Sequence, residues 1–253
     1  MDTGNQPSKR GRSPDPDRGD GRGSRFRRSP GGAGRLGRAA ALGTGLVLVV
    51  AVFAVQPFLI PSGSMENTLR VGDRVLVNKL AYRLGGSPLR GDVVVFDGAG
   101  SFDPVEEPAN PVSRILRGAG SAVGLVDPGE TDYVKRVIGV GGDRVICCDG
   151  RGRIEVNGRP VTENYVYPGD TPSRVPFDIV VPDGRLWMMG DHRDRSRDSR
   201  DHLGEAGGGM VPVERVVGRV DWIDWPYGRW TALQRPAAFA SVPGPGGAGG
   251  GHG

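Results

Sequence analysis

Lysine is almost missing from this chain of 253 residues. Of its 33 basic residues 30 are arginine, and the three lysines are Lys9, Lys79 and Lys135. Arginine stays protonated in proteins, whereas lysine can lose its proton when it is removed from water. Lys135 lies between Val134 and Arg136 in an otherwise apolar stretch. A lysine in that position is a candidate general base, because burial among apolar neighbours lowers its pKa.

Cysteine and histidine are scarce as well. The two cysteines, Cys147 and Cys148, are adjacent, and there are three histidines. Structural zinc sites use spaced ligands, so this cysteine pair excludes a cysteine-based zinc framework. A disulfide between sequence neighbours closes a strained ring, so a disulfide and two free thiols both remain open. No metal or cofactor is predicted.

Only one apolar run is long enough to enter a membrane, and it covers residues 39–55. A helix of that length spans roughly 25 Å, at the short end for a bilayer. Pro57 disfavours helical geometry at Gln56, so the run predicts a transmembrane signal anchor over residues 39–57. The alternative is a cleaved signal peptide with its cut after Ala54, although the leader before the run is unusually long for one.

The excess of positive charge is confined to the N-terminal tail. Residues 1–38 contain ten basic residues and four aspartates, whereas acidic residues slightly outnumber basic ones in the rest of the chain. A positive flank predicts that this end lies in the cytoplasm and that the folded part lies outside. Such a tail can bind nucleic acid, but its Gly/Pro/Ser-rich composition favours a disordered leader, and no nucleic-acid partner is predicted. The Gly/Pro-rich residues 237–253 are predicted to be disordered too.

Helical periodicity is weak outside the apolar run, and short runs typical of β-strands dominate. They cover residues 74–78, 92–96, 133–140, 143–147, 153–156, 186–189 and 213–222. Asn157-Gly158 is a strong hairpin signal. We predict a mainly β fold over residues 58–236: an antiparallel, partly closed sheet with a smaller inserted β subdomain at residues 146–184. The long connection 97–132, with a short helix over 112–126, is predicted to be a mobile or functional insertion.

A serine follows the apolar run directly, in the segment Pro61-Ser62-Gly63-Ser64-Met65. Ser64 is the candidate nucleophile, and a serine hydroxyl needs a base to take its proton. In an extended segment Ser62 would face the same side as Ser64, so its hydroxyl and the Ser64 backbone N–H are a candidate oxyanion hole. The alternative is a simple turn that ends the membrane helix.

A third polar cluster, residues 190–200, follows the predicted strand at 186–189 and is dense in charges that can pair. Such a cluster at a strand end suits residues that hold catalytic groups in place, although a solvated loop would look the same. His192 also allows a Ser-His-Asp triad as a weaker interpretation. Metal binding by His192, Asp194 and His202 is weaker still.

Taken together, the three clusters resemble those of bacterial type I signal peptidases, membrane-anchored Ser/Lys proteases that remove signal peptides from exported proteins. The resemblance covers residues 58–225. The family's serine box matches residues 61–69, its Gly-Asp-hydrophobic strand matches 91–96, its lysine box matches 133–143, and its Gly-Asp-Asn-Arg-Asp box matches 190–200. Four positions depart from the family's usual pattern. Asn67 replaces proline, Val140-Gly141 replaces Leu-Pro, and His192 replaces asparagine.

The resemblance implies a role for each matching residue. Ser64 is the nucleophile, Lys135 the general base, and Ser62 the hydroxyl of the oxyanion hole. Ser196 hydrogen-bonds and orients the lysine amine, and Asp198 and Arg200 form a structural ion pair. Asp132 and Val134 lie beside the substrate strand, and Val134 lines the pocket for the residue before the cut.

The resemblance also implies cleavage after Ala-x-Ala, partnership with preproteins, the lipid bilayer and the export machinery, and a single-pass location in the bacterial cell membrane with an extracytoplasmic catalytic domain. Two other functions remain open on the sequence. One is a Ser/Lys protease dedicated to a single secreted substrate. The other is a membrane-anchored binding module with no catalytic activity.

Overall fold

The computed structural model describes residues 37–38, 40–45, 54–83, 85–103, 131–205 and 207–245. The predicted tail 1–36, most of the predicted membrane segment, the helix predicted at 112–126 and residues 246–253 lie outside these ranges. Residues 37–38 and 40–45 are helical. Across the ranges described, no helix combines the length and the apolar character needed to cross a bilayer.

Twelve strands are formed within the described ranges from residue 54 onward. They are β1 (Val55–Leu59), β2 (Arg74–Asn78), β3 (Val93–Asp97), β4 (Asp132–Val140), β5 (Arg144–Cys147), β6 (Ile154–Val156), β7 (Arg159–Pro160), β8 (Phe177–Val180), β9 (Arg185–Met189), β10 (Val211–Pro212), β11 (Val216–Trp225) and β12 (Thr231–Ala232). Four single-turn 3-10 helices cover Gly63–Met65, Val213–Arg215, Tyr227–Arg229 and Ala237–Phe239.

The strands form two antiparallel sheets within one compact unit, residues 45–253. The main sheet has the order β1-β2-β11-β3-β4-β9-β10, with β12 paired to β11, and the smaller sheet has the order β7-β6-β5-β8. The prediction of a mainly antiparallel β fold is confirmed. Among the described strands the main sheet is a path with β1 and β10 at its ends, and its partial closure stays a prediction. The smaller sheet runs from Arg144 to Val180, close to the predicted 146–184.

Two predicted boundaries are corrected. The membrane helix was predicted to run to Pro57, but residues Val55–Leu59 are the edge strand β1, paired with β2. Proline has no N–H to donate, and an edge strand tolerates that loss. The stretch from 237 to 245 was predicted to be disordered, but Phe239 and Val242 are buried in the hydrophobic core beside Trp187. Burial of these apolar side chains holds the segment in place.

The Asn157-Gly158 hairpin is confirmed. Both residues have positive φ, 50° and 74°, which a tight two-residue turn between β6 and β7 requires. At the end of β5, Cys147 and Cys148 form a disulfide, which decides between the two states that the sequence left open.

The site described next depends on how β4 sits in the main sheet. Strand β4 pairs with β3 over its first five residues and with β9 over its second half. The chain leaves β9 at Met189 and enters the polar loop 190–200, which therefore lies beside the middle of β4. Hydrophobic burial on both sides of β3, where Val93–Phe96 are all buried, fixes this part of the sheet.

Candidate active site

Ser64 lies in the 3-10 turn Gly63–Met65, between the edge strand β1 and β2. The buried side chains of Met65 and Leu69 anchor the turn in the core. The Ser64 carbonyl accepts a hydrogen bond of 3.1 Å from the His192 backbone N–H. The sequence predicted an extended segment here, and that is correct for Ser62 but wrong for Ser64. The two hydroxyl oxygens are nevertheless 3.4 Å apart.

Lys135 reaches this serine from β4. Its Nζ lies 2.8 Å from Ser64 Oγ, although the two residues are 71 positions apart in the chain. The lysine is only 3% exposed. Burial lowers the pKa of Lys135 to about 8, against an opposing effect of the Asp198 carboxylate. With that pKa the lysine is mostly protonated at neutral pH, but the neutral minority is far larger than for an exposed lysine and can accept the serine proton.

Asp198 and Arg200 form the ion pair that was predicted for them. The Arg200 Nε lies 2.8 Å from Asp198 Oδ1, and Gly190 N–H donates to Asp198 Oδ2 at 2.9 Å. Burial alone would raise the pKa of Asp198, but the hydrogen bonds and charge of Arg200 more than offset it and hold the pKa below its usual value. The loop 190–200 thus keeps a charged carboxylate close to Lys135.

The predicted hydrogen bond from Ser196 to the lysine is not formed. In the part of the chain that is described, Ser196 Oγ is buried and has no hydrogen-bond partner. Its side chain instead packs against Gly190, where an added Cβ would overlap both Ser196 and the Ser64 carbonyl oxygen. Ser196 therefore packs against Gly190, and its side chain also helps to lower the pKa of Asp198.

Asp132 and Val134 lie in the first half of β4, before Lys135, and both are half-buried. Val134 packs against the hydrophobic cluster that includes Phe58, Ile60 and Met65, the residues flanking the serine turn. Residues 132–135 pair with β3 on one side, whereas the pairing of β4 with β9 begins only at Arg136. Among the described strands, β9 therefore pairs only with the second half of β4, and Lys135 of the first half reaches Ser64.

Sequence reasoning missed the residue beside the lysine. Arg136 is buried and makes a two-pronged ion pair with Asp191, at 2.8 and 2.6 Å. It also donates to the Gly91 carbonyl at 2.8 Å, and its guanidinium lies 4.1 Å from the centre of the Tyr165 ring. Thr68 donates its hydroxyl to the same aspartate. An arginine in an apolar strand is the only sequence signal that could have pointed to this network.

His192 does not act on Ser64 through its side chain. Its ring is stacked on Tyr167 at 4.0 Å and lies near two carboxylates, with Nδ1 3.6 Å from Glu66 and Nε2 3.9 Å from Asp170. The base in contact with Ser64 Oγ is Lys135, which argues against the Ser-His-Asp interpretation. Over the residues described, no group of His, Cys, Asp or Glu side chains is arranged to hold a metal ion. His192, Asp194 and His202 accordingly do not form the metal site considered from the sequence.

Comparison with known proteins shows the family to which the chain belongs. The family described as "Signal peptidase, peptidase S26" matches residues 34–225. The "Probable signal peptidase I" of Mycobacterium leprae is 40% identical over 76% of this chain and 75% of its own length. The "Signal peptidase I" of Mycobacterium tuberculosis is 42% identical over 75% of this chain and 71% of its own length.

A crystal structure of a signal peptidase I from Enterococcus faecalis, 23% identical, covers 53% of this chain and 96% of that protein with a TM-score of 0.33, too loose a match to compare the two folds. The family match and the two mycobacterial relatives are enough to assign the chain to a family. The chain belongs to the signal peptidase family, peptidase S26. Within that family it is a type I signal peptidase, a serine endopeptidase.

Proposed function

We propose that this enzyme removes signal peptides from exported preproteins with a Ser64–Lys135 dyad, cleaving after small residues in an Ala-x-Ala pattern. The observation that carries the proposal is the 2.8 Å contact between Lys135 Nζ and Ser64 Oγ at a buried lysine with a lowered pKa. Neutral amines are competent bases, and a serine hydroxyl requires one.

In the proposed mechanism neutral Lys135 takes the Ser64 proton while Ser64 Oγ attacks the carbonyl carbon before the cut. The resulting oxyanion accepts hydrogen bonds from the Ser64 N–H and the Ser62 hydroxyl. The C–N bond then breaks, and protonated Lys135 gives its proton to the leaving amine. A water molecule, activated by the same lysine, hydrolyses the acyl-enzyme and regenerates Ser64.

The substrate would bind along the first half of β4, before the register with β9 begins at Arg136. A peptide added at residues 132–134 gains main-chain hydrogen bonds and arrives beside Ser64. Val134, on the apolar cluster of Phe58 and Ile60, would line the pocket for the residue before the cut and favour a small side chain. The ion pair of Asp198 and Arg200 would support the loop behind Lys135.

We also propose that the enzyme is anchored in the cell membrane by the apolar run 39–55, with its N-terminus in the cytoplasm and its catalytic domain outside. Anchoring would place it at high effective concentration with preproteins whose signal helices are still in the bilayer, next to the export machinery. The sequence carries this part of the proposal, through the basic residues before the run and the serine box after it.

The test is cleavage of a model preprotein by the full chain in detergent, comparing wild type with Ser64→Ala and Lys135→Arg. Arginine cannot serve as a base, so both variants should lose cleavage by about 10²-fold or more. Lys79→Arg is the matched control, because Lys79 is the other lysine in the described part of the chain and hydrogen-bonds Gln56 instead.

Three results would contradict parts of this proposal. Substantial cleavage by Lys135→Arg would point to another base. Cleavage of one secreted protein, with unrelated Ala-x-Ala preproteins left intact, would favour the dedicated processing protease. A folded wild type that cleaves nothing and does not react with a serine-directed acylating inhibitor would favour a binding module.

A further inference from the structure

A groove lies beside the segment that follows Ser64 in the chain. It has a volume of about 400 Å³ and is lined by Glu66, Asn67, Arg70, Tyr167 and Pro168. The first three follow Ser64 directly in the chain, and the other two come from the connection between β7 and β8. None of the residues assigned above to the nucleophile, the base or the segment before the cut lines this groove.

The Glu66 carboxylate is the charge in the groove nearest to the reaction centre. It folds back over Gly63, so close that a Cβ there would lie 3.2 Å from the carboxylate carbon. In the described part of the chain its one ion-pair neighbour is His192, whose Nδ1 is 3.6 Å away, beyond hydrogen-bond length. Glu163, by contrast, is locked to Arg193 at 2.6 Å. The Glu66 side chain is therefore partly exposed and has no close ion pair among the described residues.

His192 lies beside two residues that line the groove, Glu66 and Tyr167. Its side chain is only 7% exposed, and Nδ1, which faces Glu66, has no hydrogen-bond partner in the described structure. A buried polar atom without a partner costs free energy, so its retention calls for an explanation. The backbone of the same residue donates to the Ser64 carbonyl, and Tyr167 N–H donates to the Asp191 carbonyl at 2.9 Å. These two hydrogen bonds fix the backbone of His192 and Tyr167 relative to the nucleophile.

We infer that this groove binds the first residues of the mature protein, on the leaving-group side of the cut, and that Glu66 selects for positive charge there. The inference rests on the proposed function. A substrate that reaches Ser64 along residues 132–134 of β4 must continue past it, and the groove receives that continuation. The carboxylate then favours a cationic side chain just after the cut and disfavours an acidic one. Arg70, exposed on the rim, has the opposite effect.

The test uses three preproteins that share one signal peptide with an Ala-x-Ala site and differ only in the first mature residue, which is Lys, Gln or Glu. The full chain in detergent should cleave the Lys substrate with a kcat/KM roughly threefold to fivefold above that of the Glu substrate, as expected for one partly exposed ion pair. This ratio should fall as salt is added. Because each ratio is measured within one variant, changes in the amount of folded enzyme cancel.

In Glu66→Gln the Lys-to-Glu ratio should fall to about one or below, and in Arg70→Gln it should rise above the wild-type value. Glu214→Gln, the same change in the 3-10 turn Val213–Arg215 outside the groove, should leave the ratio unchanged. A wild-type ratio near one, or a ratio that neither groove variant shifts, would overturn the assignment while leaving the peptidase activity established. Failure of wild type to cleave any of the three would overturn the proposed function and this inference with it.

Discussion

At the scale of single residues, Lys135 combines two properties that normally exclude each other. It is buried in a sheet, where charge is disfavoured, and it lies near the Asp198 carboxylate, which favours charge. Burial has the larger effect, so the pKa falls to about 8. The proposed mechanism needs the neutral amine, so kcat/KM should rise with pH along a single ionisation centred near that value and level off above it.

This pH dependence is measured with a model preprotein from about pH 6 to about pH 10, under conditions where the protein stays folded. Circular dichroism at each pH provides the control for folding. A profile without an ionisation on its acidic limb would show that the lysine proton is not the one that limits catalysis.

The same lysine should reduce the stability of the fold near neutral pH. Its pKa is about 8 in the folded state and 10.5 as the reference value for an unfolded chain. Between these values the unfolded state binds more protons, so the penalty is complete below pH 8 and disappears as the pH rises through 10.5. Each pKa unit corresponds to about 1.4 kcal/mol, so the penalty is about 3 kcal/mol.

Lys135→Met should therefore be inactive yet more stable than wild type at pH 7, by up to about 3 kcal/mol. The gain should shrink as the pH approaches 10.5, the reference pKa of the lysine. Denaturant unfolding of both proteins at neutral and alkaline pH provides the measurement. Equal stability of the two proteins at pH 7 would mean that the lysine is not desolvated in solution.

At the scale of elements, the loop after β9 holds the serine turn in place at Gly190. A Cβ on this residue would approach the Ser64 carbonyl oxygen to 2.5 Å and overlap Ser196. Gly190→Ala should therefore push the loop and the serine turn apart, lowering kcat by tenfold or more and destabilising the fold by about 1–3 kcal/mol.

The matched control for this loop is Gly150→Ala, because an added Cβ at Gly150 meets nothing within 4 Å. It should change neither activity nor unfolding temperature. If Gly190→Ala keeps wild-type kcat while the control does too, the close contact between the loop and the serine turn is not needed for catalysis.

The strands show which elements sequence alone could predict. Strand β2 was predicted with its observed bounds, and the predicted start of β4 was one residue late. Both predictions succeeded because these segments are rich in β-branched residues. Strand β1 was assigned to the membrane helix, since its Gln56-Pro57 step is typical of a helix end and its pairing with β2 is a tertiary property. Strand β8, Phe177–Val180, was missed because its Asp178 interrupts a short apolar run.

The candidate site also contains residues that the sequence could predict and contacts that it could not. Ser64 and Lys135 were predicted from their own segments, because each carries a local chemical signal. Contacts such as that of Glu66 with His192 join residues more than a hundred positions apart. They depend on how the loop 190–200 lies against the serine turn, and no spacing along the chain specifies that. The hydrogen bond predicted between Ser196 and Lys135 also depended on the position of this loop, and it is not formed.

At the scale of the whole molecule, Arg136 joins parts of the fold that are distant in sequence. It extends from β4 of the main sheet to Asp191 in the loop after β9 and lies over Tyr165, between strands β7 and β8 of the smaller sheet. Asp191 in turn accepts the Thr68 hydroxyl just after the serine turn. The pair is almost fully buried, with side chains 3% and 0% exposed. The net contribution of this ion pair to the stability of the fold depends on whether both charges stay paired.

Arg136→Met should destabilise the fold by about 3–5 kcal/mol, because it leaves the Asp191 charge buried without a counter-charge. Adding Asp191→Asn should recover part of that loss, since the amide is neutral and can still accept from Thr68. Arg144→Met, at the exposed pair with Asp178, is the control and should change stability little. Denaturant unfolding of the four proteins decides: a double variant no more stable than Arg136→Met alone would mean that the loss comes from packing against Tyr165 and not from the unpaired carboxylate.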